Sequence, residues 1–210
     1  MDTVDSEKDS GITISYDLKS SNQCIQACSK ASKMLGVIKR TISYKTPEIM
    51  VRLCKALVRP HLEYCVSVWS PHYTKDKDLL ERVQHRFIRM IKEVHDKEYL
   101  DRLEELNLWT LEERRNRADL IELFKMYIGF TTVHFECLFT LDCNNKSTRG
   151  HLAKLSKPRC QKDVRKHFFF HRVINRWNAL DGVTVSSSSI DAFKNRLNKI
   201  RKTRMGYFMD

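Results

Sequence analysis

No run of apolar residues in this sequence approaches the ~18–20 needed to cross a bilayer, so no stretch reads as a membrane-spanning helix and no membrane partner is expected. The Gly-x4-Gly-Lys-Ser/Thr loop that cradles nucleotide phosphates is missing. So is the Gly-x-Ser-x-Gly elbow that presents a nucleophilic serine. Neither P-loop chemistry nor a serine triad is therefore expected. Seven cysteines make an odd number without a regular framework, and Met1 to Asp9 is too acidic and polar for a secretory leader. Both features point to reduced thiols in an intracellular setting, nuclear or cytoplasmic.

What the sequence does have is positive charge. Its 210 residues carry 38 Lys and Arg against 26 Asp and Glu, a formal charge of +12, which points to a polyanionic partner. The length suits one large domain or two small ones. The charge is not spread evenly. Between Lys30 and Arg59 the only acid is Glu48, and between Lys146 and Asn178 it is Asp163. A third run covers Lys194 to Arg204. From Asp76 to Glu122 acids and bases nearly balance, and that part reads as a helical hub rather than a binding face.

Periodicity predicts mostly helices. Residues 1–10 read as loose, and Gly11 to Leu18 alternates Ile12, Ile14 and Tyr16 against Thr13, Ser15 and Asp17 in a strand pattern. A lone strand needs a partner, so the first twenty residues are expected to be poorly anchored. A helix from Ser21 to Ile42 turns Ile25, Cys28, Ala31, Leu35, Ile38 and Ile42 inward. Thr46, Pro47 and Glu48 open another, with Ile49, Leu53, Ala56 and Leu57 inside. Pro60 stops or kinks it, and Leu62, Tyr64, Cys65, Val66, Val68 and Trp69 beyond are expected to be buried. Leu79, Leu80, Val83, Phe87, Ile88 and Ile91 form the clearest stripe, in a helix from Lys75 to Lys92. A short helix follows over Tyr99 to Leu106. Thr110 and Glu113 form a capping box for a helix over Leu111–Tyr127 that stops at Gly129. Leu141 to Arg149 reads as a polar link and Val164 to Leu180 as a helix. Gly182 to Ser187 is a linker, Ser188 and Asp191 cap the last helix, and the final residues fray.

One stretch carries a resemblance. Leu57-Val58-Arg59-Pro60-His61-Leu62-Glu63-Tyr64-Cys65, followed by Val68-Trp69-Ser70-Pro71, resembles the thumb segment of jockey-like non-LTR retrotransposon reverse transcriptases. The likeness continues through Leu79 to Arg86, Leu111 to Arg117, Asp119-Leu120-Ile121 and Thr148-Arg149-Gly150-His151. It ends with Lys157 to Cys160, Arg172 to Asn178 and Phe193 to Leu197, all in the family's order. The resemblance implies a mainly α fold. A palm-strand remnant would occupy residues 1–20, a thumb-like helical bundle 21–140, and a small basic helical domain 141–210. Ser10-Gly11 stands where the family usually reads Leu-Gly.

The polymerase of that family seats paired magnesium ions on adjacent carboxylates from an aromatic-Ala-Asp-Asp turn. This sequence has no Asp-Asp pair. Glu104-Glu105 and Glu112-Glu113 fall on predicted helices, where neighbours point about 100° apart. The resemblance thus implies a non-catalytic fragment of an RNA-directed DNA polymerase, with no cofactor and no catalytic residue. Cys137, Cys143, His151 and Cys160 invite a zinc reading, but a zinc knuckle is spaced more tightly at both ends, and the set reads as packed cysteines with a solvated histidine. Cys24 and Cys28 share a face without further ligands nearby and read as apolar packing.

Binding remains. Thumb domains of the resembling family hold a template–primer duplex by phosphate contacts from helix-borne Lys and Arg. The candidates here are Lys39, Arg40, Arg52, Lys55, Arg59 and His61, then Arg149, Lys157, Arg159, Arg165, Lys166, Arg172 and Arg176. Tyr44, Tyr64, His61, Phe170 and His171 are placed to stack on bases. Trp69, Trp109 and Trp177 read as core anchors. The expected partner is RNA, DNA or their hybrid, held weakly and electrostatically. The alternative is a protein-interaction module, with self-association through the face a missing palm leaves uncovered, or a product without retained activity.

Overall fold

The computed structural model describes residues 4–142 and 150–210. These are mainly helical, and the sheet among them is one two-stranded antiparallel hairpin. The chain divides into two compact units, Met1–Glu112 and Glu113–Asp210. Residues 113–140, grouped by sequence with the first helical domain, therefore belong to the second unit.

In the first unit, β1 (Ser6–Asp9) pairs with β2 (Ile12–Ser15), Asp9 facing Ile12. The two-residue loop, Ser10 and Gly11, has φ of 48° and 86°, the positive values a tight hairpin turn requires. The segment expected to be loose is thus paired, and it is also tied down. The Thr13 amide donates to Gln23 Oε1 at 2.9 Å, Asn22 Nδ2 to Ser15 Oγ at 2.9 Å, and the Tyr64 hydroxyl to the Ser10 carbonyl at 3.1 Å. The expected alternation is also overturned. Thr13 and Ser15 are buried with Ile12, whereas Ile14 and Tyr16 face out, because polar contacts with the following helix set the register.

α1 (Ser21–Thr41) packs on the helices that follow. Cys24, Ala27, Cys28, Ala31 and Ile38 face in, while Ile25, expected inside, points to solvent. α2 (Pro47–Leu53) continues through a π turn (Cys54–Val58) into α3 (Arg59–Glu63). Pro60 does not stop this helix. A proline ring crowds the preceding turn, and the turn ahead of it is widened so that the Arg59 amide donates to the Cys54 carbonyl, five residues back. The chain breaks only at Cys65, whose φ is 47°. The buried stripe is Met50, Cys54, Val58 and Leu62, one position off the expected Ile49, Leu53, Ala56 and Leu57. Ile49, Leu57, Tyr64 and Val68 are exposed, and so is Cys65.

α4 (Val66–Trp69) buries Val66 and Trp69. α5 (Thr74–Ile88) buries Leu80, Val83, Phe87 and Ile88 as its stripe predicts, and a short 3-10 turn (Lys92–Val94) leads to α6 (Tyr99–Glu105). The Glu81 carboxylate accepts from the Tyr99 hydroxyl and from the Leu111 amide, at 2.9 Å for the latter, so it serves as a cap at the start of the next helix. Burial and the neighbouring Glu81 hold the Tyr99 hydroxyl well above its ordinary pKa.

α7 (Leu111–Tyr127) begins with the last two residues of the first unit, runs on in the second, and ends as predicted at Gly129, φ 71°. The Phe130 amide reaches the Lys125 carbonyl at 2.8 Å and the Gly129 amide that of Met126 at 3.0 Å, a Schellman closure. A 3-10 turn (Phe135–Cys137) and an isolated bridge between Leu141 and Leu155 precede α8 (Asp163–Lys166) and α9 (Phe169–Asn178). The single helix expected over Val164 to Leu180 is thus broken at His167 and Phe168. The polar link lies outside the described residues from position 143 on. Gly182 to Ser187, expected as a linker, holds α10 (Gly182–Val185), capped by Asp181, which accepts from the Thr184 amide at 2.6 Å. Ser189, not Ser188, caps α11 (Ile190–Thr203), accepting from the Ala192 amide at 3.1 Å.

The core of this unit centres on Trp177, Phe124 and Phe193, the last two stacked with centroids 4.1 Å apart. The C-terminus does not fray. Phe208 is fully buried, its carbonyl accepting from Asn116 Nδ2 at 2.7 Å, and the Tyr207 hydroxyl donates to the Arg176 carbonyl.

Candidate nucleic-acid interface

The cationic segment of the second unit starts where Leu155 leaves its bridge. Asn178 holds Leu155 from both sides, its Oδ1 accepting the amide and its Nδ2 donating to the carbonyl, each at 2.8 Å. His171 then contacts the Pro158 carbonyl through Nε2 at 3.0 Å, which fastens the loop to α9. Between these fixings the chain exposes Lys157, Arg159, Lys162, Arg165 and Lys166, with Asp163 the one acid among them. Although Lys157 is exposed as a residue, partial desolvation of its ammonium and, behind that, the Lys166 charge hold it below its ordinary pKa. Val164 and Phe168 are exposed beside them, and the Phe168 and Phe170 rings lie 5.8 Å apart.

Arg172 and Arg176, both expected to contact nucleic acid, are turned inward instead. Arg172 forms a two-point ion pair with Asp119 at 2.8 and 3.0 Å and also donates to the His167 carbonyl. Arg176 pairs with Asp210 and donates to the Met209 carbonyl. Each guanidinium is already matched to an acid, so a phosphate would have to displace that partner. Arg149 lies outside the described residues. Lys162 joins the exposed cations although it is not among the sequence candidates, and its position between Arg159 and Arg165 in the same basic run is the signal that marks it.

In the first unit, Lys39 and Arg40 end α1 in the open. Arg52 and Lys55 are exposed on α2 and its π turn, Arg59 pairs with Glu63 at 3.2 Å, and His61 is half-buried. Of the proposed stacking rings, Tyr44 and Tyr64 are exposed. Phe170 is half-buried and His171 is buried on the Pro158 carbonyl, so neither offers an open face. Trp69 and Trp177 are buried anchors whose indole N–H groups donate to the Tyr64 and Ala153 carbonyls at 2.7 and 2.8 Å. Trp109 is half-buried, its carbonyl taking the Gln84 amide at 3.0 Å.

The side chains considered as zinc ligands have other surroundings. His151 is buried, not solvated, with Nε2 3.0 Å from the Trp177 carbonyl, and burial keeps its pKa low. Cys137 is exposed rather than packed, and the Cys160 thiol donates to the Lys162 carbonyl at 3.2 Å. Cys143 lies outside the described residues. Among the described residues no three His, Cys, Asp or Glu side chains converge as metal ligands. No described helix is long and apolar enough to cross a membrane.

Compared with family models, with curated proteins and with solved structures, the chain matches none.

Proposed function

We propose that this chain is a non-catalytic nucleic-acid-binding protein that grips phosphate backbones without reading sequence, and that it descends from the thumb-and-tail portion of a jockey-like non-LTR retrotransposon reverse transcriptase. The ordered sequence blocks support the descent, and the missing Asp-Asp pair supports the loss of polymerase chemistry. The single observation that carries the binding is the fastened loop 157–166, which presents five exposed cations against one carboxylate beside an outward Phe168. Such an array neutralises successive phosphates and releases their counterions, contacts that carry no sequence information.

Fluorescence anisotropy with labelled RNA–DNA hybrid and duplex DNA tests this. The logarithm of the binding constant is expected to fall linearly with the logarithm of salt, equally for unrelated sequences. An isotherm that does not move with salt removes the reading.

A second reading rests on a different observation. Ile49, Leu57, Tyr64 and Val68 lie exposed along α2 to α4, and Ile14 and Tyr16 on the hairpin. Exposed apolar side chains mark contact surfaces where they adjoin, and self-association is the form this reading takes. Light scattering would then give a mass that rises with concentration and returns to that of one chain in Leu57→Glu. A single-chain mass at all concentrations rejects it.

A further inference from the structure

Within the nearly neutral hub, the outer face of α5 is cationic and concave. Arg82, His85 and Arg86 stand over an apolar base of Cys28, Leu79 and Val83 and bound a hollow of about 430 Å³. A second, more open hollow of about 700 Å³ shares Arg82 and His85 and adds Lys75, Asp78, Glu81 and Tyr99.

Both arginines are oriented in advance. Arg82 Nε donates to the Asp78 carbonyl of its own helix at 3.3 Å, and Arg86 Nη2 donates to Ser32 Oγ of α1 at 3.0 Å. These acceptors are neutral oxygens, so each guanidinium keeps its full charge and most of its N–H groups. Among the described residues neither has a carboxylate within ion-pair distance. Of the two acids at the more open hollow, Glu81 is engaged by the Tyr99 hydroxyl and the Leu111 amide, and Asp78 lies one helical turn from Arg82 without forming an ion pair with it.

We propose that this hollow binds a phosphate group, with Arg82 and Arg86 as charged donors and His85 as a third donor beside them. A guanidinium fork matches two oxygens of a tetrahedral oxyanion, and two forks one helical turn apart match a dianion or two linked phosphates. The apolar base and limited size suit a compact ligand such as a polyphosphate. One phosphate of a nucleic-acid strand presents the same chemistry. The site does not depend on the loop 157–166.

His85 reports on occupancy. Its ring meets Tyr99 edge-on at 4.9 Å, and burial, then Arg102 and Arg89, keep it below its ordinary pKa. The other titratable or charged groups that line the hollows with it are Lys75, Asp78, Glu81, Arg82 and Arg86 on its own helix and Cys28 on α1. An anion between Arg82 and Arg86 opposes the arginine charges and favours the imidazolium.

NMR of histidine ring signals in the intact chain tests the proposal. The titrants are pyrophosphate, a short single-stranded oligonucleotide and chloride at matched ionic strength. Pyrophosphate is expected to shift His85 saturably and raise its pKa, and Arg82→Gln with Arg86→Gln to weaken this about tenfold or more. Both positions are exposed, so the double variant should fold, which unchanged spectra elsewhere would verify. In a chain carrying Lys157→Gln and Lys166→Gln, a His85 response to oligonucleotide assigns the phosphate to a strand, and a response to pyrophosphate alone assigns it to a small molecule. A shift matched by chloride, or one untouched by the arginine substitutions, overturns the site. Neither result bears on binding through residues 157–166.

Discussion

Arg172 Nε and Nη2 donate to the two carboxylate oxygens of Asp119 at 2.8 and 3.0 Å, with only 3% of the Asp119 side chain and 14% of the Arg172 side chain exposed. A buried pair of this kind is costly to break from one side, because the remaining charge has neither water nor partner. Arg172→Ala should therefore cost about 3–5 kcal/mol of stability. It should also leave the salt dependence of nucleic-acid binding by the folded fraction unchanged. Denaturant melts paired with anisotropy separate the two effects. A reduced salt slope with an unaltered melt would return Arg172 to the binding surface.

The loop 157–166 should behave in the opposite way. Substituting Lys157, Arg159, Arg165 and Lys166 by glutamine removes exposed charges that have no acid partner among the described residues, so stability should move by no more than about 0.5 kcal/mol for each. For every phosphate that is no longer neutralised, the slope of log binding constant against log salt should fall by about 0.9 on duplex DNA. Anisotropy across a salt series reads that number directly. A slope that does not change places the phosphate-binding cations elsewhere on the chain.

Much of this was legible in the sequence, and the failures share a cause. α5 follows from local periodicity and α7 from its end signals, and Gly129 ends α7 because a glycine accepts its positive φ without strain. In α2 to α3, apolar residues occupy two adjacent stripes, so periodicity cannot choose between Ile49–Leu53–Leu57 and Met50–Cys54–Val58. The π turn before Pro60 adds a further shift of phase. At the interface, composition located the cationic run but not its free members. The acids that engage Arg172 and Arg176 are Asp119 and Asp210, 53 and 34 residues away. Asn116, which holds the tail through Phe208, is 92 residues distant. Pairings at such separations leave no local pattern.

The hairpin depends on a polar contact that a substitution can isolate. Gln23 is buried and its Oε1 takes the Thr13 amide at 2.9 Å. Gln23→Leu keeps the volume approximately and leaves that N–H buried without its acceptor, a loss of about 1–3 kcal/mol. Hydrogen exchange should show the effect first at β1 and β2, with faster exchange of the Thr13 amide. If Thr13 protection is unchanged, the hairpin is held by other means.

Stability at high pH should report on the C-terminal anchor. Burial pushes the Tyr207 hydroxyl up to about 12, although the Arg204 and Arg176 charges pull it partly back. In the unfolded chain a tyrosine ionises near pH 10. Between those values the native state keeps a proton that the unfolded state releases, so stability is fully present below about pH 10 and is lost as pH rises toward 12. The contribution of one such group is about 1 kcal/mol per pH unit in that window. Tyr99, also raised by burial, adds to the decline in the same direction. Tyr207→Phe forfeits the hydrogen bond to the Arg176 carbonyl, so it should be less stable at pH 7 yet lose less between pH 10 and 12. Denaturant melts of both proteins at pH 7, 10 and 11 measure this. Parallel losses in the two would mean that the Tyr207 hydroxyl is not buried in the native state.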